Sequence, residues 1–168
     1  MGPRTDRVVA AIDIGSNSIQ ITIAHVSSHT IEIIHKEKET ARLGDALNDQ
    51  GRLTEAAMVR TVVVLNSFER LAAAHAAELR VSGTAALRAA KNRAAFLTRV
   101  HDQTGLTVKI IDGIEEARMV RAGALFGLPD MFETNALCVD VGGGSTEITL
   151  GVGSLIRAAT SLPVGGLS

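Results

Sequence analysis

The first forty residues carry three short apolar runs at the spacing of β-strands. Residues 8–12 are all apolar, the pattern of a strand buried on both faces, whereas residues 19–23 alternate isoleucine with polar side chains. Residues 30–35 form a third run rich in isoleucine. The first two runs are separated by a predicted tight turn of Gly15, Ser16, Asn17 and Ser18. Two successive β-hairpins are therefore predicted.

From residue 54 the apolar spacing changes to that of helices. Thr54 is predicted to cap a long amphipathic helix, whose apolar residues recur at intervals of three and four: Met58, Val62, Leu65, Phe68 and Ala72. Asn92 and Asp112 are predicted to cap two further helices, the first of which ends at Gly105. A short apolar run before each of these helices predicts a strand.

The chain begins a second time near residue 136. An apolar strand over residues 137–141 leads into a glycine-rich turn, and a further strand follows over residues 148–150. The predicted order is βββαβαβα followed by new strands. Strands that alternate with helices predict an α/β layer architecture.

The second beginning repeats the first in sequence. Displaced by 127 positions, residues 13–22 align with residues 140–149, and five of the ten positions are identical. Such duplication predicts two lobes of one fold, each opening with the same hairpin. We assign residues 1–128 to the first lobe and residues 129–168 to the N-terminal part of the second. The second lobe is expected to be incomplete, because no helix follows its strands.

The two glycine turns predict a phosphate site. A Gly-rich turn can point several backbone N–H groups in one direction, and two such turns on facing lobes would hold one polyanion. Asp13 and Asp140 end the strands before the turns, where a carboxylate can hold Mg²⁺ beside phosphate, and Glu147 follows nearby. Either turn alone is more typical of a plain hairpin. The matched acidic residues favour the phosphate site.

Other readings of these motifs fit less well or stay open. A strand follows each glycine turn, which excludes the Rossmann fingerprint, and no Gly-Lys-Ser/Thr is present for a Walker A loop. Glu115 and Glu116 lie at a helix start, where the helix dipole alone favours carboxylates. Arg88 could donate paired hydrogen bonds to phosphate, but an arginine by itself is more often a solvated surface residue. The residue pattern alone does not rank the general base or the phosphate ligands.

Composition excludes several classes of partner. Seventeen Lys and Arg against eighteen Asp and Glu give a net charge of −1, which provides no field for nucleic acid or an anionic membrane. Four Phe without Tyr or Trp offer few stacking platforms for single strands. The single cysteine, Cys138, is predicted to be a small core residue and indicates a reducing, cytoplasmic location.

Five stretches together resemble the exopolyphosphatase/guanosine pentaphosphate phosphohydrolase family, within the superfamily of actin, Hsp70 and the sugar kinases. They are residues 11–18, 42–44, 83–88, 113–118 and 139–147, in family order and with family spacing. The combination of Glu-Glu-Ala-Arg with Asp-x-Gly-Gly-Gly-Ser-Thr-Glu distinguishes this family from actins and sugar kinases. The resemblance covers essentially the whole chain.

The resemblance implies a ribonuclease-H-like, actin-type lobe and a hydrolase. Such an enzyme removes terminal phosphate from inorganic polyphosphate, or the 5′ γ-phosphate from guanosine pentaphosphate, with Mg²⁺. By motif, Glu116 would be the general base, and Asp140 and Glu147 would hold the metal with Asp13 assisting. The implied phosphate ligands are Gly15, Ser16, Asn17, Ser18, Arg88, Gly142, Gly143, Gly144 and Ser145.

Two other functions are compatible with the sequence. One is a sensor module that binds guanosine tetra- and pentaphosphate without significant turnover, and the other is a kinase-like ATPase lobe. Glu116 favours the enzyme, whereas an incomplete second lobe favours binding at most. The residues do not decide between polyphosphate and guanosine pentaphosphate. An incomplete lobe would also expose apolar surface, so association into a homodimer is expected.

Overall fold

Two β-sheets organise the chain, and each lies in a separate unit. The computed structural model describes residues 7–28, 30–45, 47, 49–128 and 133–166. The units are Met1–Ile110 and Ile111–Ser168. No helix among the described residues is long and apolar enough to cross a membrane.

The first unit contains a five-stranded mixed sheet. Its strands are β1 (Arg7–Ile14), β2 (Ser18–Val26), β3 (Ile31–Thr40), β4 (Glu78–Gly83) and β5 (Lys109–Ile110). They lie in the order β3-β2-β1-β4-β5. β1, β2 and β3 are antiparallel neighbours, while β4 runs parallel to β1 and β5 parallel to β4. The two predicted hairpins and the α/β class are confirmed.

Three helices accompany this sheet: α1 (Glu55–Ala74), α2 (Ala85–Ala89) and α3 (Arg93–Thr104). The Thr54 hydroxyl accepts from the N–H of Ala57, so this helix cap is as predicted. All five apolar residues predicted for the buried face of α1 are buried in one core with α3 and the isoleucines of β1 and β2. Gly105 ends α3 in the left-handed conformation, also as predicted.

Three details of the first unit differ from prediction. β1 is buried on one face only, since Ala11 and Asp13 are exposed. The short helix α2 has too few residues to show an apolar period and was not predicted. Asn92 does precede α3, but its side chain does not cap that helix. Instead it accepts from the N–H of Leu53 at 2.8 Å and donates to the Leu53 carbonyl at 3.0 Å.

In its described residues, the second unit contains one helix and a three-stranded antiparallel sheet. The elements are α4 (Gly113–Gly127), β6 (Asn135–Val141), β7 (Thr146–Val152) and β8 (Leu155–Leu162), with the strand order β6-β7-β8. Asp112 caps α4 as predicted, accepting from the N–H of Glu115 at 2.7 Å. The prediction placed α4 in the first lobe, whereas in the structure it packs on β6, β7 and β8.

The two faces of the second sheet differ in cover and in chemistry. Glu147 and Thr149 on β7 are buried on the face that α4 covers. Leu137, Val139 and Val141 on β6 point to the opposite face and are 64%, 52% and 67% exposed. Cys138 is half-buried rather than a core residue, because it lies on β6, an edge strand of this sheet.

Candidate phosphate turns and acidic site

Among the described residues, the turn between β1 and β2 is closed by a backbone hydrogen bond and leaves two N–H donors without an acceptor. The Gly15 N–H donates to the Ser18 carbonyl at 3.0 Å. A Cβ on Gly15 would lie 3.0 Å from that oxygen, which is tighter than ordinary side-chain contacts, so the turn favours glycine. Within the described residues, the N–H groups of Ser16 and Asn17 find no acceptor.

The loop after β3 fixes the orientation of this turn. Gly44 donates its N–H to the Ser16 carbonyl and Arg42 donates to the Asn17 carbonyl, each at 2.8 Å. In a planar trans peptide the carbonyl and the following N–H point in opposite directions. The N–H of Asn17, one of the two donors without an acceptor, therefore points away from this loop. Backbone N–H groups that a turn leaves open in this way are donors that can bind an anion.

Two other predicted residues lie at this end of the first sheet. Asp13, a predicted metal ligand, is two residues before Gly15 and exposed. The Thr84 N–H donates to the Ile14 carbonyl at 3.2 Å, so α2 begins beside the end of β1. Arg88 lies on α2 and is half-buried. The structure thus gathers the predicted first-lobe residues around one strand end.

The turn between β6 and β7 repeats this geometry. The Gly142 N–H donates to the Ser145 carbonyl at 2.9 Å, the bond that displacement of the first by 127 residues predicts. A Cβ on Gly142 would lie 3.1 Å from the same oxygen. Among the described residues, the N–H groups of Gly143 and Gly144 have no acceptor, and Gly166 donates to the Gly142 carbonyl at 2.9 Å. The hairpin repeat predicted from sequence is confirmed in structure.

Asp140 and Glu147 form a pair of carboxylates across neighbouring strands. They are directly opposite residues in the β6–β7 register, so both side chains lie on the face that α4 covers. Glu147 is 2% exposed, and its Oε1 accepts from the Ser161 hydroxyl at 2.7 Å. Its Oε2 is buried and has no hydrogen-bond partner among the residues that the structure describes. In the first turn the same register pairs Asp13 with Gln20, so that hairpin has one carboxylate.

These two acids fit Mg²⁺ in number and type. A buried carboxylate oxygen without a donor is costly, and a bound cation would relieve that cost. Mg²⁺ is commonly held by one or two carboxylates together with substrate phosphates and water. No group of three His, Cys, Asp or Glu that could hold a metal occurs in the described part of the chain. Phosphate oxygens and water would therefore complete the coordination.

Glu116 lies in the first turn of the helix that covers the acidic pair. Its N–H donates to the Asp112 carbonyl at 2.9 Å, and its side chain is half-buried. Gly113, which begins α4, packs directly on Ser161, where a Cβ would come within 2.4 Å of the serine Cβ. The family resemblance implied one site for Glu116, Asp140 and Glu147; in the structure α4, which carries Glu116, packs on the sheet that carries the two acids.

Arg121 is an ordered polar residue that the sequence analysis missed. It is 1% exposed and donates to two carbonyls, from Nε to Gly153 at 3.1 Å and from Nη1 to Ala136 at 3.0 Å. It thereby ties α4 to the start of β6 and to the turn before β8. A signal was present, because Arg121 lies midway between Ala117 and Leu125 at helical spacing, on the buried stripe of α4.

Comparison with known proteins gives a consistent assignment. The model of the Ppx/GppA phosphatase family matches residues 22–168. A guanosine-5′-triphosphate,3′-diphosphate pyrophosphatase of Photobacterium profundum is 41% identical over 159 residues, which cover 93% of this chain and 31% of the relative. The chain belongs to the Ppx/GppA phosphatase family.

Solved structures agree with the fold. The Aquifex aeolicus PPX-GPPA enzyme matches with a TM-score of 0.85 and 36% identity, over 95% of this chain and 53% of that one. An exopolyphosphatase of Cytophaga hutchinsonii matches with a TM-score of 0.89 and 28% identity, over 95% of this chain and 51% of that one. The predicted family and fold are confirmed, and the chain spans about half the length of these solved relatives. The roles of the individual site residues stay predictions.

Proposed function

We propose that this chain binds the phosphate groups of inorganic polyphosphate or guanosine pentaphosphate and takes part in hydrolysing their terminal phosphate. The observation that carries the proposal is the duplicated turn. In each copy, two consecutive backbone N–H groups have no acceptor among the described residues. At least one carbonyl of each turn accepts a hydrogen bond from a later segment of the chain, which fixes the orientation of the turn. This arrangement suits phosphate oxygens, which accept hydrogen bonds and carry charge.

The chemistry we propose is direct attack by water on the terminal phosphorus, which breaks its bond to the bridging oxygen and releases inorganic phosphate and the shortened phosphate chain. Glu116 would take the proton from the attacking water, and Asp140 and Glu147 would hold Mg²⁺, while the metal role of Asp13 stays a prediction. When bound, Mg²⁺ neutralises charge on the transferring phosphoryl group. The turn N–H groups would hold the phosphates without moving during the reaction, and such prearranged donors are the main source of catalysis in phosphoryl transfer.

The names of the relatives support hydrolysis over binding alone. The Photobacterium relative is named as a pyrophosphatase and the Cytophaga structure as an exopolyphosphatase. These names leave the choice between the two substrates open. A cytoplasmic location stays a prediction that rests on the single cysteine.

The test is a comparison of three substrates. Phosphate release from polyphosphate, guanosine pentaphosphate and ATP is measured side by side with Mg²⁺, and binding of each is measured by calorimetry. We expect the protein to bind polyphosphate and guanosine pentaphosphate. A catalytically active form of it should release phosphate from these two substrates. Release from ATP alone would identify an ATPase, and tight binding of guanosine pentaphosphate by a form that never releases phosphate would identify a sensor. Absence of binding to all three would refute the proposal.

A further inference from the structure

Ser161 on β8 connects the start of α4 to the acidic pair. Its hydroxyl donates to Oε1 of Glu147 at 2.7 Å, and the other carboxylate oxygen is buried with no partner in the described part of the chain. The serine itself is half-buried and carries no charge. None of the five stretches that carry the family resemblance includes it.

The hydrogen bond from Ser161 makes the two carboxylate oxygens of Glu147 inequivalent. Oε1 is held by a donor, which restricts rotation of the carboxylate about its last bond. Oε2 is then the oxygen left for a cation, and Asp140 is the residue opposite Glu147 on the neighbouring strand. Groups that orient a metal ligand from behind typically change metal affinity by about 10- to 100-fold when they are removed.

The position of Ser161 depends in turn on Gly113. A Cβ added at Gly113 would lie 2.4 Å from Cβ and 2.5 Å from Oγ of Ser161, far closer than any normal contact. The helix start that carries Glu116 and the serine that holds Glu147 therefore fit together only because residue 113 has no side chain. Glycine at this position is otherwise a poor helix residue.

We propose that Ser161 is a positioning residue of the acidic site, which orients Glu147 toward a divalent cation and is itself kept in place by Gly113. This inference rests on the metal role of Glu147 in the proposed function. It predicts two independent ways to lower the affinity of the site for a divalent cation. One is to remove the Ser161 hydroxyl, and the other is to displace it with a methyl group at position 113 of the helix.

The experiment measures Mn²⁺ affinity of this chain by electron paramagnetic resonance, alongside the thermal midpoint. Ser161→Ala and Gly113→Ala should each lower Mn²⁺ affinity by about 10- to 100-fold. Ser154→Ala alters an exposed serine in the β7–β8 turn, and Gly123→Ala adds a methyl group on α4 where nothing lies within 4 Å. Both controls should bind Mn²⁺ like the wild type.

The outcomes separate the inference from the function on which it rests. Wild-type affinity in Ser161→Ala, with the wild type itself binding Mn²⁺, overturns the role of Ser161 and leaves the metal site standing. A loss in Gly113→Ala alone also overturns it, since the effect would then come from the helix rather than from the hydroxyl. No Mn²⁺ binding by the wild type overturns the metal role of Glu147 and this inference together.

Discussion

At the scale of single residues, the neighbours Glu115 and Glu116 offer a direct test of the general base. Both are half-buried in the first turn of α4, but successive helix residues project about 100° apart. A positioned base contributes about 10²- to 10⁴-fold in rate. Glu116→Gln keeps the shape and cannot take the proton, so kcat should fall by about that factor while KM changes only several-fold.

Glu115→Gln is the matched control and should have a much smaller effect. The kinetic constants are measured in a form of the protein that releases phosphate, whether this chain or a longer one. If Glu115→Gln is the inactive variant, the base is misassigned by one residue. If neither variant loses more than a few-fold, water is activated by another group, and Glu116 only stabilises the start of the helix.

The acidic pair predicts metal dependence. Asp140→Asn and Glu147→Gln each remove one negative charge from neighbouring positions on the second sheet, so Mg²⁺-dependent hydrolysis should fall strongly. Asp102→Asn removes an exposed charge on α3 and should leave hydrolysis unchanged. Phosphate release is measured as a function of Mg²⁺ concentration, and a sample with excess EDTA gives the rate without free metal. Full activity in EDTA would exclude the metal role of both acids.

At the scale of elements, Arg121 predicts how α4 is held on its sheet. Arg121→Ala removes the donors to two carbonyls and leaves a cavity, which should lower the free energy of unfolding of the second unit by about 2–5 kcal/mol. Arg118→Ala, on the exposed face of the same helix, should change it by less than about 0.5 kcal/mol. Urea unfolding monitored by circular dichroism compares the two. Equal stabilities would show that Arg121 does not anchor the helix.

The same helix shows what sequence could and could not predict. The existence of α4, its Asp112 cap and its acidic first turn follow from local pattern, because a helix start depends on residues a few positions apart. Its docking on β6, β7 and β8 does not, since an apolar stripe identifies the buried face but not the sheet that covers it. The hydrogen bonds of Asn92 and Ser161 were missed for a related reason, as their partners lie 39 and 14 residues away.

At the scale of the whole molecule, the sequence duplication predicts the hydrogen bonds and strand register of the second hairpin. It does not predict which of its residues are buried. The hydrogen bonds that close the two turns are 127 residues apart in sequence. The facing pair of Asp13 and Gln20 in the first hairpin likewise corresponds to Asp140 and Glu147 in the second. Equivalent apolar residues of the two copies are buried in the first and exposed in the second. Ile12 and Ile14 are at most 1% exposed beneath the first-unit helices, whereas their counterparts Val139 and Val141 are 52% and 67% exposed.

This difference leads to a prediction about association. The open face of the second sheet places Leu137, Val139 and Val141 side by side on β6, and contiguous exposed apolar surface favours association in water. β6 is also an edge strand, whose unpaired backbone groups favour pairing with another chain. We therefore expect this chain to form dimers or larger species as its concentration rises. Light scattering after size-exclusion chromatography, over a range of loading concentrations, measures the effect.

Val139→Lys should shift the population toward monomer, because a charge at the centre of the open face opposes both face-to-face contact and edge pairing. Val63→Lys supplies the control, since Val63 is a comparably exposed apolar residue, at 64%, on α1 in the other unit. That variant should associate like the wild type. A wild type that stays monomeric at every concentration would show that the exposed face of β6 does not drive association. Equal effects of the two lysines would assign any association to net charge rather than to this face.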